Sequence, residues 1–179
     1  MKNSFWNEAS SAGVILGLTS ISFSLLTMVL PQKLNIVLSG LSFIATIYLL
    51  YMFTKRRAMR FPNEGYSYSQ CLGFMVASGI FAGIITGAYQ IVASNFLFTE
   101  SYEQTYKTMI ATYAEMGIFD NNAMDAIKST LHSYLFSPIH VLISNIMAMC
   151  FSFGFYGLFI AIGTKREEDI FDQTPENEE

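Results

Sequence analysis

Four apolar stretches without a charged residue divide the chain, at about residues 9–30, 34–53, 71–98 and 138–163. Each reaches the roughly 20 residues that carry a helix across a bilayer. Their small and polar residues recur three and four apart, the spacing that gathers side chains on one face of a helix. In the first stretch that face holds Ser10, Gly13, Gly17, Ser20, Ser24 and Thr27. The second carries Ser39, Ser42 and Thr46, and the fourth Asn145, Ala148 and Ser152. The third holds Gly79, Gly83 and Gly87, and its face ends in Thr86, Gln90 and Ser94. Small residues four apart leave a groove into which a neighbouring backbone fits. The third stretch is therefore the expected centre of a bundle, with its glycine groove against Gly13 and Gly17 of the first.

Between the third and fourth stretches the pattern becomes amphipathic. Tyr102, Tyr106, Met109, Tyr113 and Met116 recur at helical spacing, with Ser101 and Gln104 placed as a capping box and Gly117 as a stop. A second helix begins near Asp120, with Met124, Ile127, Leu131 and Tyr134 on its apolar side. The reading is a helical hairpin over about 101–135. Pro138 suits the first turn of the last span. Residues 167–179 are acidic and polar, a composition expected to be disordered.

Composition sharpens this picture in two places. Charged residues make up only 13% of the chain, about half the usual share, and they cluster between the spans. Lys2, Lys55, Arg56, Arg57, Arg60, Lys165 and Arg166 fall on one side, and Lys33, Lys107 and Lys128 on the other. That bias places both termini in the cytoplasm and the hairpin outside. The first stretch is too long for a leader core of about 7–15 residues, and no small-x-small site follows Pro31, so it is read as a retained span. The net charge of −4 comes largely from the tail, and no basic stripe with interleaved aromatics points to nucleic acid. Cys71 and Cys150 are expected at different depths, too far apart to bridge.

Candidate chemistry is sparse. Gln90 and Asn145 fall at similar depth and are expected to share an interhelical hydrogen bond, worth about 0.6–2 kcal/mol. Lys55, Arg56, Arg57 and Arg60 set topology and face anionic lipid heads. His132 and His140 lack ligand spacing, and Met109, Met116 and Met124 already serve apolar faces, so no metal is assigned. No cofactor motif, nucleophile motif or paired intramembrane carboxylates occur, and no catalytic residue is expected.

The order of features has a familiar shape. It runs from a glycine-bearing first span through a basic loop to Tyr68-Ser69-Gln70-Cys71-Leu72-Gly73-Phe74 and a glycine-rich third span. Glu115-Met116-Gly117 and Ser137-Pro138 follow. From about Ala9 to Arg166 the chain resembles the bacterial family catalogued as domain of unknown function 4199. The resemblance implies a four-span protein of the Bacteroidota type with no agreed activity, and it carries over no catalytic residue.

The expectation is an all-α polytopic membrane protein, a single domain over 1–166 with the tail beyond it. Its partners are the bilayer and either a second copy or another membrane protein, with no identifiable small-molecule substrate. A structural or accessory role leads, because the spans hold no deep charge of the kind transport paths carry. A small oligomeric transporter or channel is the alternative.

Overall fold

The computed structural model describes residues 2–61 and 65–166, so the acidic tail and its expected disorder lie outside the described residues. Six α-helices account for nearly all of the described chain. α1 (Lys2–Val29) starts well before the uncharged stretch and takes Glu8 into the helix. A 3-10 turn at Gln32–Leu34 leads to α2 (Asn35–Ala58), which runs on past Phe53 through Lys55, Arg56 and Arg57. Lys55, Arg56 and Arg57 are thus helical rather than in a loop, with Arg60 in the turn that follows, a change that matters for Arg57 below.

α3 (Tyr68–Val92) opens on a reciprocal cap. Ser67 Oγ accepts the Gln70 N–H at 3.3 Å, and Gln70 Oε1 accepts the Ser67 N–H at 2.8 Å. Its far end widens into one π turn at Ala93–Leu97. There Asn95 Nδ2 donates to Ile91 O at 2.9 Å and to Phe136 O at 3.4 Å, which ties this end to the fifth helix.

α4 (Thr99–Met116) begins before Ser101 and has no side-chain cap, so the capping box expected at Ser101–Gln104 is not formed. Ser101 lies inside the first turn, and its carbonyl accepts from Thr105 Oγ1. Gly117 ends the helix at φ +65°, a left-handed position that suits glycine. α5 (Asn121–Phe136) is capped by the Asp120 carboxylate, which accepts the Ala123 N–H at 2.7 Å. α4 and α5 touch through Tyr106, whose hydroxyl donates to Lys128 O and whose ring meets His132 edge-on. α6 (Pro138–Thr164) completes the chain with proline in its first turn.

α1, α2, α3 with its π turn, and α6 are each long and apolar enough to cross a membrane. They differ in how far they are enclosed. Over half of the apolar window of α3 is buried (56%), against 6% for α2, so α3 is the core and α2 the periphery.

Glycine explains why α3 occupies the centre. A Cβ at Gly83 would stand 2.5 Å from Ile146 Cα, and one at Gly79 3.0 Å from Met149 O. At Gly87 it would meet Leu142 and Asn145 at 3.0–3.3 Å. All four partners belong to α6. The expectation that this groove receives α1 is therefore corrected. Gly13 and Gly17 of α1 do pack on α3, but over Ser78, Phe81, Ala82 and Ile85, the face next to the glycine row. The physical reason is that α3 presents two small faces. The glycine row takes the backbone of α6, and the Ser78–Ala82 row takes the glycines of α1.

A direct test follows. Gly83→Leu forces side-chain atoms into the α6 backbone and should lower stability by at least the roughly 1–3 kcal/mol typical of overpacking. Gly40→Leu, where a Cβ meets nothing within 4 Å, should leave the unfolding midpoint in detergent unchanged. Equal midpoints for the two variants would contradict the groove.

Candidate functional site

Two places concentrate polar groups among the packed helices. The first lies at the end holding the N-terminus, where α1, the end of α2 and the start of α3 converge. Because α2 continues beyond Phe53, Arg57 sits on its inward face and is only 6% exposed. Its Nη1 donates to Glu8 Oε2 at 2.7 Å and its Nε to the Tyr66 hydroxyl at 2.9 Å. Four rings surround the guanidinium, with centroids at 4.9 Å (Phe5), 5.4 Å (Phe74), 5.6 Å (Phe61) and 5.9 Å (Tyr66). Aromatic faces attract a cation, and this partly offsets its lost hydration.

Tyr66 is held from several sides. Its hydroxyl donates to Gln70 O at 3.2 Å, and its backbone pairs with Arg166 in an isolated antiparallel bridge at 2.8 and 2.9 Å. That bridge fastens the α2–α3 connection to the end of α6. Burial pushes the Tyr66 phenol up from its ordinary value, against the neighbouring Arg57 charge, so it remains a neutral donor.

The four basic residues grouped as lipid-head contacts therefore divide. Lys55, Arg56 and Arg60 stay exposed, and Arg60 reaches Glu8 Oε1 at 2.9 Å. Arg57 is withdrawn into the bundle and does not face bulk lipid heads. Glu8 and Tyr66 were missing from the sequence reading. The available signal for Glu8 was a lone acid one turn before an uncharged span, at the same end as the basic cluster. Nothing in the sequence marked Tyr66.

The second place is a cleft of about 460 Å³ between α1, α2 and α6. Three of the small-residue faces meet there: Ser20, Ser24 and Thr27 of α1, Ser39, Ser42 and Thr46 of α2, and Ser152 of α6. Thr27 and Thr46 return their hydroxyls to their own helices, to Ser24 O and Ser42 O. The hydroxyls of Ser20, Ser24, Ser39, Ser42 and Ser152 have no partner among the described residues. The cleft is hydroxyl-rich and uncharged.

The remaining candidates are placed simply. Asn145 Nδ2 donates to Gln90 Oε1 at 2.9 Å and to Val141 O at 2.8 Å, so the amides bridge α3 and α6 beside Gly87. Cys71 is buried and Cys150 half-buried, and neither is bridged. His140 Nδ1 lies 3.0 Å from Ser137 Oγ, and His132 packs on rings. Among the described residues no group of three or more His, Cys, Asp or Glu is gathered as metal ligands require.

Fold and sites together define an all-α protein with four candidate transmembrane helices among the described residues. The family model described as "Protein of unknown function (DUF4199)" matches residues 11–166, and the chain belongs to that family. Neither a curated protein nor a solved structure matches it.

The ion pair makes an ordered set of predictions. Glu8→Gln leaves a buried guanidinium without its carboxylate and should cost up to about 3 kcal/mol. Arg60→Gln, at a side chain 64% exposed, should cost less than about 1 kcal/mol. Thermal unfolding of the purified variants measures both, and a larger loss for Arg60→Gln would reverse the assignment.

Proposed function

We propose that this protein is a non-enzymatic accessory subunit of the bacterial inner membrane that takes a transmembrane segment of another chain into its hydroxyl-lined cleft. In this reading both termini are cytoplasmic and α4 and α5 form a hairpin on the outer face, offering the same partner a second contact. The observation that carries the proposal is the cleft between α1, α2 and α6, with five serine hydroxyls left without protein partners. Such groups gain little from lipid tails, whereas a neighbouring helix supplies both close van der Waals contact and hydrogen-bond partners. A second copy of this chain is one form such a partner takes.

The same cleft supports a second reading, a small oligomeric transporter whose path runs along these hydroxyls. The absence of any Asp, Glu, Lys or Arg from the cleft lining weighs against it, since intramembrane ionisable groups mark transport paths. Gentle extraction at native abundance, mass determination and identification of co-purifying chains separates the two. The accessory reading expects a stoichiometric partner that Ser42→Leu releases. A pure homo-oligomer conducting solute in vesicles would overturn it in favour of transport.

A further inference from the structure

Beside the Arg57 ion pair lies a separate cavity of about 320 Å³, lined by Arg57 and Gln70 together with Phe5, Phe61, Tyr66 and Gly73. Its polar lining is one-sided. Among the described residues no carboxylate lines it, while two donor groups remain open. Arg57 uses Nε on Tyr66 and Nη1 on Glu8, so Nη2 has no partner among the described residues. Gln70 spends its carbonyl oxygen on the Ser67 cap, and its Nε2 likewise has none. Charge points the same way. One carboxylate, Glu8, is shared between two guanidiniums, Arg57 and Arg60, which leaves the trio with a net positive charge.

Gly73 adds an independent observation. Glycine destabilises a helix interior, and elsewhere in α3 it is required by the backbone of α6. At Gly73 a Cβ would meet nothing within 4 Å, so no packing demands it. Gly73 lines the cavity, so its missing side chain leaves that wall open.

We propose that this cavity is a binding site for a phosphate group, held by Arg57 Nη2 and Gln70 Nε2 with the aromatic rings against its organic substituent. A planar guanidinium suits phosphate oxygens, and the surrounding rings keep it desolvated and fixed in direction. The site lies at a helix-bundle end, where a phospholipid headgroup and a soluble phosphate compound both have access. It is distinct from the attraction of lipid heads to exposed Lys55 and Arg56, which needs no cavity.

The test uses the full chain purified in detergent, with retained lipid measured by native mass spectrometry and inorganic phosphate binding measured by calorimetry. Gly73→Leu fills the cavity and keeps Arg57 itself unaltered, and the Lys55→Ala/Arg56→Ala pair removes exposed charge alone. The expected result is one phosphatidylglycerol per chain, retained at least tenfold over the zwitterionic phosphatidylcholine, or stoichiometric inorganic phosphate. Gly73→Leu should abolish this at an unchanged unfolding midpoint, and the double variant should retain it. Retention of phosphatidylglycerol alone identifies a headgroup site, and binding of inorganic phosphate a soluble ligand. If neither probe binds, or if Gly73→Leu binds like the unaltered protein, the proposal is overturned. Loss confined to the Lys55/Arg56 variant would overturn it too, leaving only surface attraction.

Discussion

Helices in lipid gain no hydrophobic free energy by meeting, so their association depends on how closely their backbones approach. In this protein that approach is set by α3. Gly79, Gly83 and Gly87 admit α6 so closely that at Gly83 a Cβ would collide with its main-chain atoms, and at Gly79 and Gly87 would press on it at 3.0–3.3 Å. On the adjacent face Gly13 and Gly17 of α1 do the same over Ser78 and Ala82. The three helices form a core with little room for larger side chains. The Gln90–Asn145 hydrogen bond then fixes the register of α3 and α6 beside Gly87.

α2 belongs to this core at one end only. Leu50, Thr54, Arg57 and Ala58 are its buried residues, all in its second half. Arg57 holds that half to α1 through Glu8 and to the start of α3 through Tyr66. Ile36, Val37, Leu41 and Ile44, in the first half, are exposed, and Ser39, Ser42 and Thr46 line the cleft instead of a closed interface. A helix buried at one end and loosely packed at the other, where Phe43 still meets Tyr156 of α6 edge-on, borders both candidate sites. The cavity lies where α2 is clamped, and the cleft where it is not.

How much of this was legible in the sequence follows from the kind of interaction involved. The spans were legible because uncharged runs of helical length have one obvious solvent, and the small-residue faces because their spacing is local. Gln90 and Asn145 were matched by depth, which rise per residue supplies. The partner of each face was not legible. α3 carries two small faces one position apart, and spacing alone does not say which takes α1 and which α6. The fate of Arg57 was hidden for a related reason. It stands in a basic run beside Lys55 and Arg56, and only the continuation of α2 past Phe53 turns it inward. Its partners Glu8 and Tyr66 are brought to it by tertiary structure. The one-ended attachment of α2 had no sequence signature, since its apolar run looks as complete as the others.

The most direct test of this arrangement is a pair of spin-label distance distributions in a lipid bilayer, with Cys71 and Cys150 replaced. One pair, at Asn7 and Arg56, spans α1 and α2 at the clamped end, and the other, at Leu26 and Gly40, spans them at the open end. The account predicts a narrow, short distribution for the first and a longer, broader one for the second. Two equally short and narrow distributions would mean that α2 packs along its whole length, and the cleft would not exist in the membrane.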